Sequence, residues 1–211
     1  GRERLLRDVS HELRSPLARL NVALALARKR LDDAPSTELD RIEREAERLA
    51  QLISQIPELA RLGDEVPLPD TRVGLAELAE DVVRDAAYEA RGQEKRVELE
   101  VRARPSVRGT ATALHSALEN VVRNALAFTP PGSRVRVTLD VLPETDEAVL
   151  VVEDEGPGVP EDALEAIFRP FYRVGTDRDR RTGGTGVGLA IAHRVTTRHG
   201  GTLTATNRVT G

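Results

Sequence analysis

Residues 8–17 read DVSHELRSPL, and their side chains could carry phosphoryl chemistry. His11 stands beside Glu12, the Ser15 hydroxyl follows four positions later, and Pro16 comes directly after. An imidazole attacks phosphorus through one ring nitrogen once its other nitrogen can shed a proton, and an adjacent carboxylate can take that proton. On a helix, residues at i and i+4 share a face, so Ser15 reaches the same side as His11. Pro16 removes a backbone donor and crowds the carbonyl of Glu12, bending the helix beside the reactive group. A histidine turned away from an apolar seam is by itself an ordinary solvated side chain. It becomes an acceptor only if the chain also holds a phosphate donor.

Three later segments supply the pieces of a donor site. In ENVVRNAL, Asn120 and Asn124 lie one turn apart, and their amide oxygens could hold a hydrated Mg²⁺ bridging phosphates, because that ion takes oxygen ligands and keeps several waters. In EDEGPG, Asp154 could accept a hydrogen bond from an adenine amino group, while Gly156 and Gly158 let backbone approach a base. In GGTGVGL, the run Gly184, Thr185, Gly186, Val187, Gly188 and Leu189 opens a helix, where bare N–H groups and the helix dipole favour phosphate oxygens. This run has no G-K-[ST] ending and does not follow a strand, which disfavours both the P-loop and the dinucleotide fingerprint. Each segment alone is weak: paired helical asparagines, an acidic turn and a glycine loop are all common.

The elements that must position these groups fall into two halves. From 6 to 31, apolar residues recur at Leu6, Val9, Leu13, Leu17, Leu20, Leu24, Ala27 and Leu31, the three-and-four spacing of an amphipathic helix. His11 lies about 200° around the helix from Val9 and from Leu13, off that seam. Residues 32–36 (DDAPS) break the pattern, and a second stripe runs through Leu39, Ile42, Ala46, Leu49, Leu52, Ile56 and Leu59. Pro57 falls inside that second helix and favours a kink. Two helices on so short a connection form an antiparallel hairpin, and a lone hairpin cannot bury both stripes. Pairing with a second copy into a dimeric four-helix bundle is the expected solution, ahead of packing against the rest of the same chain.

Residues 63–71, with Pro67 and Pro69, read as a linker. Beyond it, helices are expected at 75–90, 111–128 and 186–199, and strands at 97–101, 135–142, 148–153 and from Leu203. That order implies a two-layer α/β sandwich. The long polar loop 169–184 has no periodic core face, which suits a functional or mobile segment. Of the remaining histidines, His115, His193 and His199 show no carboxylate or second histidine at ligand spacing.

Composition narrows the classes further. A hydrophobic fraction of 39% with 31% charged residues is enough to build a core. The chain has no cysteine, which excludes disulfides and thiolate metal sites. A net charge of −4 gives no support for bulk nucleic-acid binding. No run approaches the roughly 20 apolar residues of a membrane span. Both ends read as cut from something longer.

Taken together and in order, these motifs resemble those of sensor histidine kinases in two-component systems. SHELRSPL resembles the family's H-box, which usually carries threonine where Ser15 stands. ENVVRNAL, EDEGPG, FRPFYR and GGTGVGL resemble the N, G1, F and G2 boxes of its Bergerat-type ATP-binding domain. SHELRSPLARL, SALENVVRNAL, IFRPFYR and GGTGVGLAI are most like the CpxA-type subgroup. The resemblance implies α plus α/β architecture, with 1–62 as a dimerisation and phosphotransfer hairpin, 63–71 as a linker, and 72–211 as the catalytic domain, C-terminally truncated. It implies that His11 is the phosphoacceptor, Glu12 the general base, and Ser15 the residue that positions water for dephosphorylation. It places Arg123 near the phosphates, Phe128 near the adenine, and Tyr172 and Arg173 in the F box, with the loop 169–185 as an ATP lid. The implied partners are ATP, Mg²⁺, a second copy and the receiver domain of a response regulator. The implied reaction is autophosphorylation of histidine, transfer to an aspartate, and phosphatase action on the regulator, in a bacterial inner-membrane sensor.

Two rival readings meet specific residues. A serine kinase or ATPase of the same superfamily lacks a histidine hairpin, against DVSHELRSPL. A signalling module with a dead nucleotide site would not need Asn124, Asp154 and the glycine run together.

Overall fold

The computed structural model describes residues 17–18, 20–29, 39–40, 42, 46, 49–50, 53, 68–174 and 185–208. His11, Glu12, Ser15 and Gly184 lie outside the described residues. So do the connection at 32–36, Pro57, and 175–184 of the expected lid. The chain divides into two compact units, Gly1–Glu65 and Val66–Gly211.

In the first unit every described residue is helical. Leu24, Ala46 and Ile53 are buried, and the Arg28 guanidinium pairs with the Asp40 carboxylate twelve positions along the chain. Leu20, Ile42 and Leu49, three members of the expected stripes, stay more than a third exposed, and so do Val22 and Leu26. This unit therefore leaves part of its apolar surface uncovered among the described residues.

The second unit is a two-layer α/β sandwich. Its sheet has the order β2 (Arg96–Val101), β4 (Arg134–Leu142), β5 (Glu147–Glu153). β2 and β4 are parallel, β4 and β5 antiparallel. Alternation sorts the side chains by face: Val97, Leu99, Val135, Val137, Leu150 and Val152 join the core. On the other face, Arg136 stands opposite Glu98 on one side and Glu153 on the other. Its guanidinium lies 4.0 Å from Glu153, and Arg134 lies 3.6 Å from Glu98 and 3.5 Å from Glu155. Opposite charges placed directly across strands favour this register, although exposed pairs contribute only about 0–1 kcal/mol each.

Helices α1 (Leu75–Arg91) and α2 (Ala111–Phe128) supply the other layer. Leu78, Ala79, Val82, Val83, Ala86 and Ala90 of α1 meet Leu118, Val122, Ala125 and Leu126 of α2 in the buried cluster. Helix α3 (Gly188–Arg198) packs on α2 and buries Ala190, Ile191, Ala192 and Val195. The Lys95 ammonium donates to the Leu126 carbonyl at 2.8 Å and so closes the C-terminal turn of α2.

Four features differ from the pattern expected of the sequence. β1 (Arg72–Gly74) and β3 (Ser106–Arg108) form a small antiparallel ladder, and three residues are too few to show a period of two. Short 3₁₀ turns occupy Glu161–Ala163 and Ala166–Phe168. Helix α3 starts at Gly188 rather than 186, because Gly186 has φ of 73° and cannot belong to a right-handed helix. The strand expected from Leu203 does not form. Leu203 and Ala205 alternate in burial, but residues 201–208 make no ladder with β5 among the described residues. They are tied in by side chains instead: the Asn207 amide to Val159, and Arg208 to Glu153 at 3.6 Å.

Candidate nucleotide site

Helix α2 is the spine of the site. Near its middle, the Asn120 amide nitrogen donates to the Ser116 carbonyl at 2.9 Å, which leaves its oxygen as the free pole. That oxygen points at the start of α3: a Cβ on Gly188 would lie 2.7 Å from it. Any larger residue at 188 would displace the Asn120 amide where the N-terminus of α3 meets α2. Asn124, one turn on, is half-buried, and its side chain has no hydrogen-bond partner among the described residues. Arg123 is exposed and lies 3.6 Å from Glu119, a pair that an arriving phosphate could break cheaply. His115, expected to lack a carboxylate at ligand spacing, has Glu119 one turn on, with Nδ1 3.9 Å from Oε2. One carboxylate beside one imidazole makes a surface pair and no metal site.

At the far end of α2, the structure brings Phe128, Asp154 and Gly156 together. Asp154 Oδ1 accepts the Gly156 N–H at 2.7 Å, which fixes the turn after β5. A Cβ on Gly156 would lie 3.1 Å from the Phe128 carbonyl oxygen, so this turn packs against the end of α2. Phe128 is 45% exposed, which leaves it accessible for stacking. Thr129, beside it, is 2% exposed, and its hydroxyl has no hydrogen-bond partner among the described residues. Gly158 serves a different neighbour from the one expected. The space beside it is filled by Asn207, whose amide oxygen accepts the Val159 N–H at 2.8 Å while its nitrogen donates to the Val159 carbonyl at 2.6 Å.

The two ends of the expected lid are fastened to each other. The Phe171 N–H donates to the Gly186 carbonyl at 2.7 Å. A Cβ on Gly186 would lie 2.9 Å from the Tyr172 carbonyl oxygen and 3.0 Å from the Phe171 carbonyl carbon. Phe171 itself has φ of 66°, a conformation that costs a non-glycine residue about 1–3 kcal/mol. Phe168 stacks on His193 of α3, with ring centroids 5.3 Å apart. Thr185 is buried and, like Arg173, has a partner, whereas Tyr172 is exposed. Val187 is buried under the first turn of α3, and Leu189 is partly buried within it.

Asn120 and Phe128 are two turns apart. Helix α2 thus meets the start of α3 at Asn120 and the turn after β5 at Phe128, two corners about 12 Å apart along its axis. No group of three His, Asp or Glu side chains among the described residues could hold a metal. A divalent ion here would rest on amide and phosphate oxygens, and the donor set of Asn120 and Asn124 fits hydrated Mg²⁺.

Residues 109–211 match the family described as histidine kinase-, DNA gyrase B- and HSP90-like ATPase, and residues 1–65 match the His Kinase A phospho-acceptor domain. A solved structure of a mycobacterial sensor histidine kinase, MprB, is 30% identical, with a TM-score of 0.54, covering 63% of this chain and 81% of that one. The chain belongs to the sensor histidine kinase family. The sensor histidine kinase CpxA of Escherichia coli strain K12 is 39% identical over 206 residues, 97% of this chain and 44% of that protein. This chain therefore spans less than half the length of that relative. The crystal structure of full-length ShkA in complex with AMPPNP is 27% identical with a TM-score of 0.68, covering 93% of this chain and 41% of that one.

Two residues of the site area had no signal in the sequence. Asn207 and His199 act across 48 and 89 positions of chain, and neither lies in a recognisable motif.

Proposed function

We propose that this histidine kinase chain phosphorylates His11 from ATP and passes the phosphoryl group to an aspartate on a response-regulator receiver domain. The observation that carries the donor half is the pair of corners on α2, one touching the Asp154–Gly156 turn and the other touching Gly188. The adenine stacks near Phe128, and its amino group donates to the carboxylate of Asp154. The phosphates lie at the N-terminus of α3, over the Gly184–Leu189 backbone, with Arg123 released from Glu119 to meet them. Tyr172 and Arg173 border the site from the F box. Asn120 and Asn124 hold Mg²⁺, which neutralises phosphate charge when bound.

In the hairpin, Glu12 takes the proton from one ring nitrogen of His11 while the other forms the N–P bond. The bond between the γ-phosphorus and the β–γ bridging oxygen breaks, and ADP leaves. In the transfer step a receiver aspartate attacks the same phosphorus and the P–N bond breaks. Ser15, four positions after His11, positions water to hydrolyse the resulting acyl phosphate. Residues 1–62 serve as phosphoacceptor hairpin, 63–71 as linker and 72–211 as catalytic domain. The uncovered apolar residues of the hairpin suit a homodimer with a four-helix core. We place the chain on the cytoplasmic side of an inner-membrane sensor, anchored through segments outside it.

Incubation with γ-labelled ATP and Mg²⁺ tests the reading. Label that is acid-labile, base-stable and absent from His11→Ala is the expected result. Labelling that persists in His11→Ala overturns it.

A further inference from the structure

Helix α2 begins with an uncommon cap. Thr110, the residue at its N-cap, makes no side-chain hydrogen bond to the helix. Its backbone N–H instead donates to Nε2 of His199, at 3.2 Å. The same ring places Nδ1 2.8 Å from the carbonyl oxygen of Val195, in the last turn of α3. A carbonyl only accepts and an N–H only donates. The proton of His199 must therefore sit on Nδ1, leaving Nε2 bare, and the neutral ring bridges two helices. The backbone is shaped for it. A Cβ on Gly109 would overlap Cδ2 and Nε2 of the ring, and Gly109 is held in place by its N–H donating to the Thr71 carbonyl at 2.9 Å.

A second contact lies at the other end of the helix pair, where Gly188 of α3 meets Asn120 of α2. From 110 to 120 along α2 is about 15 Å, and from 188 to 199 along α3 about 16 Å. The two helices run antiparallel, tied by the His199 ring at one end of this stretch and in close approach at the other. Between the joints α3 buries Ala190, Ile191, Ala192 and Val195, which are apolar and mostly small. The hydrophobic driving force is non-directional and the two alanines form shallow ridges, whereas a hydrogen bond to a ring nitrogen is directional.

We propose that His199 is a positioning residue for the nucleotide site, setting the axial register of α3 on α2 and so the height of the Gly186–Gly188 backbone against Asn120 and Asn124. The role rests on the nucleotide reading above. It acts at a distance, since the ring stands three turns from the phosphate corner. A shift of α3 by one residue is about 1.5 Å, and misplacements near 1 Å cost as much as ~100-fold where groups must meet a substrate.

The test uses the 211-residue chain and a non-hydrolysable ATP analogue with Mg²⁺, with Kd read by calorimetry and folding by thermal midpoint. His199→Phe keeps the ring and removes the acceptor. His199→Gln puts an amide oxygen where Nε2 stood. The Phe variant should bind roughly tenfold more weakly or worse, and the Gln variant should recover most of that loss. Nitrogen-detected spectra of the unaltered chain should show His199 protonated on Nδ1 only. If the Phe variant does not fold, His199→Asn replaces it, because its shorter amide leaves Thr110 without an acceptor. An unmoved Kd in the acceptor-less variant, a Gln variant that binds no better, or a proton on Nε2 each overturns the positioning role. Failure of the unaltered chain to bind the analogue overturns the nucleotide reading itself.

Discussion

Replacing Gly186 by alanine tests whether the lid base is held by close backbone packing, and Gly132 provides an internal control. Both glycines have positive φ, 73° and 83°. An L-residue forced into that region loses about 1–2 kcal/mol. At Gly132 nothing lies within 4 Å of the new Cβ, so Gly132→Ala should lose only that much. At Gly186 the new Cβ would meet the Tyr172 carbonyl oxygen at 2.9 Å and the Phe171 carbonyl carbon at 3.0 Å. Backbone atoms cannot rotate away, and overpacking of this kind costs a further ~1–3 kcal/mol. The expected totals are therefore about 1–2 kcal/mol for Gly132→Ala and about 2–5 kcal/mol for Gly186→Ala. The clash also pushes apart the Phe171 N–H and the Gly186 carbonyl, 2.7 Å apart in the native chain, and moves the start of α3 away from Asn120. Urea unfolding followed by circular dichroism measures the stability difference, and calorimetric titration with an ATP analogue measures the site. Gly186→Ala should bind about tenfold more weakly or worse, while Gly132→Ala binds as the unaltered chain does. Equal stability losses in the two variants, or native affinity in Gly186→Ala, refutes this account of the lid base.

Asn207→Ala removes both hydrogen bonds to Val159 and frees the turn that carries Asp154 and Gly156. At about 0.5–1.5 kcal/mol per bond, and at the low end for an exposed pair, a stability loss near 1 kcal/mol is expected. Nucleotide Kd should rise with it, and an unchanged Kd would separate Asn207 from the site. Glu100 tests the sign of a pH effect. Paired hydrogen bonds from Arg102, at 2.9 and 3.1 Å, hold its carboxyl below the ordinary range. The folded value is the lower one, so the stabilisation is present above the unfolded value of about 4.3 and is lost as pH falls through the folded value. Urea unfolding of Glu100→Gln should match the unaltered chain at pH 2 and fall slightly short of it at pH 7. High salt should erase the deficit, since both groups are exposed; a deficit that persists at pH 2 contradicts the assignment.

Much of this protein was legible because its signals are local. The three-and-four spacing from Ala111 to Phe128 marks a helix on its own, and the helix has those bounds. The alternating residues around Val97, Val135 and Val149 mark strands, because one face of each must meet the helices. Motif order carried the family, since a histidine hairpin followed by paired asparagines, an acidic turn and a glycine run combines chemistries no single segment supplies.

Tertiary structure decided what depends on residues far apart in the chain. That Gly186 lies outside the helix follows from the backbone of Phe171 and Tyr172 pressed against it, a contact no pattern in GGTGVGL encodes. Residues 202–206 have the alternation of a strand, yet pairing needs a neighbour in register, and Asn207 supplies a side-chain tie instead. His199 shows the limit most sharply. In sequence it is one histidine at the end of a helix, and its partner amide is 89 positions away. Periodicity reports which face of an element is buried. Hydrogen bonds between elements depend on how those faces finally meet, and only the folded chain determines that.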